Sequence, residues 1–334
     1  MPNIDKLVND LTLNEKVQLL SGFDAWHTNK IDRLNIPSIK MSDGPNGVRG
    51  DGNSGQPSAC FPSAISLGST WDMGLINKLG IELGSEAKLK DVDVLLGPTI
   101  NIHRHPLGGR HFESYSEDPY LTGRIAIEYV NGVQSKNVAS CLKHFVGNDT
   151  EFQRYAVSSN IDERTLREIY LLPFEMGIKE SNAKSVMSAY NKLNNIYCSS
   201  HKQLLIDILK KEWNFDGYVV SDWGAALENI ENANGGLDLE MPGPAKSWGT
   251  NLVQAIERGD VPVSEINDKV KRILKIAVFS KRFDDPDLKA EKSKDTSAQR
   301  ILLKKAAQDG MVLLKIDGLL PLNTNISSIG VIGP

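Results

Sequence analysis

Short apolar runs alternate with helical stretches along most of this chain, and that alternation limits what it can fold into. The runs are SIKMSD (38–43), VDVLLGP (92–98), VASCLKHF (138–145), SVMSAY (185–190), GYVVSD (217–222) and LDLEM (237–241). Near-continuous apolar runs of this length are typical of parallel strands buried on both faces. Between them, Asp72 precedes an apolar stripe of helical period, and residues 119–136 and 162–181 have the same period. The pattern predicts an α/β fold.

The number of these units favours a barrel. With ISLGS (65–69) as a weaker candidate strand, the chain has six or seven β/α units. This predicts a (β/α)8-like TIM barrel. No eighth strand is evident, so we expect the barrel to be incomplete or distorted. An open, doubly wound sheet is the alternative, but no G-x-G-x-x-G fingerprint follows the first run.

The character of the sequence changes after residue 280. Residues 1–280 are predicted to form the barrel domain, which carries the candidate site. Residues 281–296, KRFDDPDLKAEKSKDT, are charged and contain proline, which predicts a linker. Residues 297–334 contain a helical stretch and then ISSIGVIGP, a predicted first strand. About 40 residues cannot bury a core of their own. We therefore interpret 297–334 as the N-terminal fragment of a second α/β domain.

Composition excludes several classes of function. The 334 residues carry a net charge of −4, with 40% hydrophobic and 24% charged residues, as in soluble globular proteins. The sequence has no basic stripe that would predict a nucleic-acid partner. It also has no run of 18 apolar residues that would predict a membrane span. The first residues lack the features of a signal peptide. Three widely spaced cysteines do not form a disulfide framework. A cytoplasmic location is expected.

Polar residues follow the apolar runs where strands would end. Active sites of TIM barrels form at the C-terminal ends of the strands. We expect these side chains, together with arginines from the loops that follow, to surround one pocket. The full set is Asp43, Arg49, Arg110, Lys143, His144, Arg154, Tyr190 and Asp222. These cations are expected to lower the pKa of Asp222 and keep it ionised, as a nucleophile requires. A phosphorylated substrate is the rival interpretation of the same cations.

Several of the candidate residues also have a purely structural interpretation. Asp222 could cap a helix, and Trp223 beside it could be core packing, although an indole next to a carboxylate suits a sugar ring. Asp43 could form an Asx turn before Gly44. His103 and His105 resemble a metal pair. Arg104 lies between them and no third ligand is evident, so no metal or cofactor is predicted.

Longer motifs carry a specific resemblance. They are MSDGPNGVRG, GPTINIHRHPLGGRHFESYSEDPYLTG, CLKHFVGND, MSAYNKLNN, GYVVSDWGA and LDLEMPGP. In these the chain resembles family 3 of the glycoside hydrolases, of the multi-domain β-glucosidase type. The resemblance implies that Asp222 is the catalytic nucleophile of a retaining, exo-acting hydrolase of β-glucosides or oligosaccharides. It implies substrate binding by Asp43, Arg49, Arg110, Lys143, His144, Arg154, Tyr190 and Trp223.

The resemblance also implies what this chain lacks. A retaining glycosidase needs a second carboxylate as acid and base, and multi-domain members take it from the second domain. We therefore expect the chain alone to be impaired. Its barrel face, otherwise covered by that domain, could associate with another copy. The alternatives are a non-catalytic carbohydrate-binding remnant and a β-xylosidase of the same family.

Overall fold

The computed structural model describes residues 2–52 and 55–332. Within them, five parallel strands form one curled sheet in the order β1-β2-β3-β5-β8. A small second sheet contains β4, β6 and β7. The strands are β1 (Met41–Ser42), β2 (Val94–Leu95), β3 (Ala139–Phe145), β4 (Ser158–Ser159), β5 (Ser185–Ser188), β6 (Lys192–Leu193), β7 (Ile196–Tyr197) and β8 (Tyr218–Ser221). The parallel α/β prediction is confirmed.

Helices connect and cover the strands. They are α1 (Ile4–Asp10), α2 (Leu13–Leu19), α3 (Ala64–Gly68), α4 (Met73–Leu89), α5 (Pro119–Gln134), α6 (Glu163–Thr165), α7 (Leu172–Ser181), α8 (Ile230–Gly235), α9 (Thr250–Glu257), α10 (Val263–Phe279) and α11 (Ser297–Asp309). Leu166–Leu171 and Gln203–Glu212 are π-helical. Asp72 caps α4 by accepting from the Leu75 N–H at 2.9 Å. None of the helices in the described ranges is long and apolar enough to cross a membrane.

Isolated β-bridges, rather than full strands, connect one edge of the five-stranded sheet to the other. They pair Val220 with Leu239, Ser21 with Glu240, Gly22 with Thr28 and His27 with Lys40, which precedes β1. The first two bridges are parallel and the last two antiparallel. The predicted run at 237–241 thus takes a strand position through isolated contacts. A TIM-barrel-like fold with a distorted side is confirmed.

The candidate strand at 65–69 is wrong. This segment lies in the helix α3, whose residues Ala64, Leu67 and Gly68 are buried. That spacing of three and four residues is helical, and five residues are too few for periodicity to separate the two structures. A Cβ atom at Gly68 would lie 2.2 Å from the Tyr115 carbonyl oxygen. Glycine there lets the helix approach its neighbour.

Ion pairs attach the predicted linker to the barrel. The buried Arg282 guanidinium lies 2.9 Å from Oδ2 of both Asp91 and Asp93. Glu291, whose side chain is 5% exposed, lies 2.9 Å from Lys40 Nζ and 3.7 Å from Lys90 Nζ. Residues 281–296 therefore lie against the barrel as a strap, which is the name used below. The domain boundaries at residues 280 and 296 stay predictions.

The segment after the strap begins with the predicted helix, α11. It packs against the barrel through Ala306, and the Gly310 carbonyl accepts from Ser69 Oγ at 2.8 Å. Residues 311–332 form neither helix nor strand, and their apolar side chains are exposed. The strand predicted in ISSIGVIGP is absent from its described part, because no other described strand pairs with it there. Its last two residues lie outside the described ranges.

One buried aspartate pairs with two lysines, of which Lys269 is buried and Lys210 is partly buried. Lys210 Nζ donates to Asp238 Oδ1 at 2.6 Å, and Lys269 Nζ lies 3.8 Å from the same oxygen. Burial, and then the charge of Lys210, lower the pKa of Lys269 to about 8. The second cation is therefore poorly compensated.

We expect Lys269→Met to stabilise the fold by on the order of 1 kcal/mol at pH 7, because it removes this cation and keeps the apolar volume. Below pH 8 the wild-type lysine is charged in both states and its burial penalty is full. The penalty shrinks as pH rises from about 8 toward the ordinary 10.5. The advantage of the variant in urea unfolding should shrink over the same range.

Lys210→Met is the matched control. It removes the lysine that donates at 2.6 Å and leaves Asp238 with the more distant Lys269. Breaking a buried pair in this way costs about 3–5 kcal/mol. Equal losses of stability for the two variants would contradict the assignment of Lys269 as the surplus charge.

Candidate active site

The parallel sheet brings the predicted strand-end residues to one cavity. Asp43 follows β1, Lys143 and His144 lie at the end of β3, Tyr190 lies just after β5, and Asp222 follows β8. The cavity measures about 210 Å³ and is lined by Trp26, Asp43, Leu96, Arg110, Lys143, His144, Arg154, Met187, Tyr190, Asp222 and Trp223. The predicted clustering is thus what the structure has, with Arg49 as an exception at the border.

Asp222 is almost completely buried at the base of this cavity. Its Oδ1 accepts from the Trp223 backbone N–H at 2.7 Å. Its Oδ2 has no hydrogen-bond donor among the described residues and lies 3.6 Å from His144 Nε2. One carboxylate oxygen is therefore fixed, and the other is uncommitted, although the Tyr190 hydroxyl lies close enough to this carboxyl to oppose the rise of its pKa.

The expected lowering of the Asp222 pKa is wrong. Burial raises the pKa of this carboxyl, and the opposing effects of Lys143, the Trp223 N–H and Arg110 do not outweigh it. The sequence indicated the cations but not the depth at which the aspartate lies. Desolvation disfavours the charged form, so this carboxylate is less stable, and more basic, than an exposed one.

The pKa of the Asp43 carboxyl is shifted in the opposite direction, downward. Its Oδ1 accepts from Lys143 Nζ at 2.8 Å, and its Oδ2 lies 3.5 Å from the Arg49 guanidinium. Burial opposes ionisation, yet Lys143, the Gly44 N–H and Arg49 lower the pKa of Asp43 to about 2. Asp43 is therefore a permanent anion at neutral pH. It is a hydrogen-bond acceptor and not a proton donor.

His144 is buried, and its Nε2 lies 3.6 Å from Asp222 Oδ2. Burial, followed by the charges of Arg110, Lys143 and Arg154, holds the pKa of its imidazole well below the ordinary 6.5. The ring is neutral at physiological pH. Its backbone N–H donates to Asn101 Oδ1 at 2.9 Å.

Two glutamates hold the arginines at the rim of the cavity. Arg110 Nε donates to Glu113 Oε1 at 2.6 Å, and its guanidinium lies 3.8 Å from Glu151. Arg154 donates to the same Glu151 at 2.8 Å. Their donors are therefore held in place and their charge is largely balanced.

Aromatic rings also line the cavity. The Arg154 guanidinium lies 4.2 Å from the centre of the Tyr190 ring, and Tyr190 Oη donates to the Trp223 carbonyl at 3.1 Å. The indoles of Trp223 and Trp26 lie 5.4 Å apart, and Trp223 Nε1 donates to the Ala25 carbonyl at 2.8 Å. A sugar ring has an apolar face suited to such a wall.

Arg49 lies outside this cavity. Its side chain is 67% exposed and lines an adjoining space of about 560 Å³, which also touches Asp43, Arg110 and Arg154. The substrate-binding role implied for Arg49 stays a prediction.

Residues 4–276 match the model of the glycosyl hydrolase family 3 N-terminal domain. The chain belongs to glycoside hydrolase family 3. Its curated relatives include a β-glucosidase from Rhizobium radiobacter, 50% identical over 99% of this chain and 41% of the relative. A probable β-glucosidase I from Emericella nidulans is 46% identical over 99% of this chain and 40% of the relative. The chain thus spans about two fifths of these relatives.

Solved structures of family 3 enzymes have the same fold. The β-glucosidase from Kluyveromyces marxianus in complex with glucose superposes with a TM-score of 0.92 at 42% identity, covering 96% of this chain and 40% of that one. β-Glucosidase 3B from Thermotoga neapolitana in complex with glucose gives 0.89 at 37%, covering 96% and 48%. These similarities place residues 4–276 in the barrel of family 3.

The sequence did not reveal every residue in or beside this cavity. Trp26 belongs to a bridge segment without a strand pattern, and Asn101 lies in the loop after β2 rather than at a strand end. Met187 belongs to β5, and an apolar side chain inside a strand does not indicate a site. A motif-level comparison of DAWHT and PTINIH could have drawn attention to the first two.

Proposed function

We propose that this chain forms the barrel of a retaining, exo-acting β-glucosidase, with Asp222 as the nucleophile. The observation that carries the proposal is the uncommitted Oδ2 of Asp222 at the base of a cavity lined by paired cations and aromatic rings. The relatives named as β-glucosidases, and the similar structures that hold glucose, support glucose as the terminal sugar.

The reaction begins with Asp222 Oδ2 attacking the anomeric carbon as the aglycone oxygen leaves. A covalent glycosyl-enzyme forms, and water then attacks the same carbon and releases the sugar with retained configuration. Burial suits Asp222 to this role because a poorly solvated carboxylate is more nucleophilic. Lys143 and Arg110 still favour its ionised form.

The size and polarity of the cavity favour a single terminal sugar. Its volume of about 210 Å³ is smaller than the ~300–1,000 Å³ of typical drug-sized ligand sites. Asp43 presents anionic acceptors, and Lys143 and Arg154 present donors. This arrangement suits several hydroxyl groups around one ring.

A phosphorylated substrate is less well supported. The candidate phosphate ligands Arg110, Arg154 and Lys143 are already paired with carboxylates. A phosphate would have to displace these pairs and would meet Asp43, a fixed anion. Neutral hydroxyls can bind without breaking them.

We further propose that the general acid and base is not among the carboxylates lining the described cavity, which are Asp43 and Asp222. Asp222 is the nucleophile, and the low pKa of Asp43 leaves it without a proton to donate. General acid–base assistance is worth about 10²–10⁴-fold.

Turnover by this chain should therefore depend steeply on the leaving group. The quantity to compare is the ratio of kcat/KM for a 2,4-dinitrophenyl β-glucoside to kcat/KM for an alkyl β-glucoside. We expect this ratio to be about 10²–10⁴-fold larger for this chain than for a complete family 3 enzyme. The measurement is a series of aryl and alkyl glucosides with graded leaving-group pKa values. A flat dependence, with efficient alkyl glucoside cleavage, would mean that an acid acts within the chain.

Covalent trapping tests the nucleophile without needing the acid. We expect a 2-deoxy-2-fluoro-β-glucoside with a dinitrophenyl leaving group to add one fluoroglucosyl unit, seen by intact mass and mapped to Asp222. The Asp222→Asn variant should stay unlabelled. An adduct on another residue would refute the assignment, and binding of the reagent without label or turnover would favour the carbohydrate-binding remnant.

A further inference from the structure

Asn101 makes a two-point contact with the backbone of His144. Asn101 Nδ2 donates to the His144 carbonyl oxygen at 2.9 Å, and Asn101 Oδ1 accepts from the His144 N–H at 2.9 Å. Both residues are buried. The amide cannot be turned over without facing donor to donor and acceptor to acceptor, so its orientation is fixed by the main chain.

This orientation determines where the His144 ring carries its proton. Asn101 Oδ1 also lies 3.0 Å from His144 Nδ1. Since Oδ1 is only an acceptor, Nδ1 must be the donor, and the two lone pairs of Oδ1 are then both used. A neutral imidazole has one N–H. Nε2, which lies 3.6 Å from Asp222 Oδ2, therefore bears a lone pair.

The tautomer matters for the nucleophile. An N–H at Nε2 would point a donor at Asp222 Oδ2, and a hydrogen bond there would draw charge from the attacking oxygen. A lone pair at Nε2 leaves that oxygen uncommitted. It also offers an acceptor to a substrate hydroxyl, so that the hydroxyl proton need not be donated to Asp222.

We propose that Asn101 is a positioning residue that holds His144 in the Nδ1–H tautomer, so that its Nε2 accepts from substrate and does not donate to Asp222. The consequence for catalysis rests on the proposed function, whereas the tautomer itself does not. The charged groups around the ring are Arg110, Lys143 and Arg154, which disfavour an imidazolium, and Asp222, which faces it.

The tautomer can be read directly in the chain labelled with 15N-histidine. Two-bond proton–nitrogen correlations distinguish Nδ1–H, Nε2–H and the doubly protonated ring, and loss of signals in His144→Gln assigns the residue. We expect the Nδ1–H pattern from pH 6 to 8. An Nε2–H or imidazolium pattern at His144 would overturn the proposal, whatever the activity of the chain.

Variants of Asn101 test the cause. Asn101→Ala should shift His144 toward the Nε2–H pattern and lower kcat for a dinitrophenyl glucoside about tenfold, with a smaller change in KM. Asn101→Asp loses the donor to the His144 carbonyl but keeps an acceptor beside Nδ1, and it should retain the N–H at Nδ1. If Asn101→Ala does not fold, the Asn101→Asp and wild-type spectra still decide.

A second buried asparagine provides the matched control. Asn191 donates to the Val146 carbonyl at 3.1 Å, and none of the contacts it makes involves His144 in the described chain. Asn191→Ala should leave the His144 pattern unchanged. An unchanged pattern in Asn101→Ala, or a similar shift in both alanine variants, would refute a specific role for Asn101.

Discussion

Asp222→Gly should lower kcat/KM for a dinitrophenyl β-glucoside by roughly 10⁴-fold or more, the range seen when a catalytic nucleophile is removed. Asp222 alone presents an uncommitted carboxylate oxygen in the described cavity, because Asp43 is held by Lys143. In the proposed mechanism, this oxygen forms the glycosyl-enzyme. Steady-state kinetics with the purified variant gives the measurement.

Added azide should rescue this variant. Glycine leaves space beside the anomeric carbon for a small anion, which attacks from the side of the missing carboxylate and expels dinitrophenolate. The product would be an α-glucosyl azide, with inverted configuration. A β-azide, or full activity without azide, would show that Asp222 is not the nucleophile.

A surface aspartate supplies the control for the loss of a carboxylate. Asp72 caps α4 and does not line the cavity. Asp72→Ala should reduce stability by about 1 kcal/mol, as lost helix caps do, and leave kcat/KM unchanged. A comparable loss of activity in both variants would point to unfolding instead of chemistry.

Asp43→Asn should lower kcat/KM for a glucoside by about 10²-fold. The change leaves the buried Lys143 ammonium without its anion and removes an acceptor for sugar hydroxyls. Breaking a buried pair costs about 3–5 kcal/mol. We expect the loss in unfolding free energy to lie at the lower end of this range, because 29% of the Asp43 side chain is exposed. Kinetics and thermal unfolding of the same sample separate binding from stability.

The same variant discriminates glucosidase from xylosidase. If Asp43 binds an outer hydroxyl that xylose lacks, Asp43→Asn should impair glucoside cleavage more than xyloside cleavage. The double variant Asp43→Asn/Lys143→Met removes both charges, and it should be more stable than the single variant. Equal effects on both sugars, with a wild-type preference for xylosides, would favour the β-xylosidase alternative.

The strand-end rule explains why most of the site could be predicted from sequence. Asp43, Lys143, Tyr190 and Asp222 lie directly at or just after parallel strands, so topology alone gathers them. Trp26 and Asn101 follow no such rule, because one lies in an isolated bridge segment and the other in a long loop.

Burial was the main quantity that the residue pattern did not contain. The direction of the Asp222 pKa depends on depth as well as on neighbouring charges, and only the packed structure supplies the depth. The same limit affected ISLGS, where five residues do not separate helix from strand. The sequence predicted a distorted barrel but not the contacts that form its irregular side, because single bridges impose no periodicity.

The strap has a practical meaning for anyone who wishes to transplant this barrel. Cutting after residue 280 would remove Arg282 from Asp93, which is buried, and Glu291 from Lys40 and Lys90. Three buried charges, on Asp93, Lys40 and Lys90, would then lose a counterion. The portable unit therefore extends at least to Lys292, whose N–H donates to the Leu89 carbonyl at 2.9 Å. A chimera joined after Lys292 keeps the ion pairs of Arg282 and Glu291, whichever domain is fused behind it.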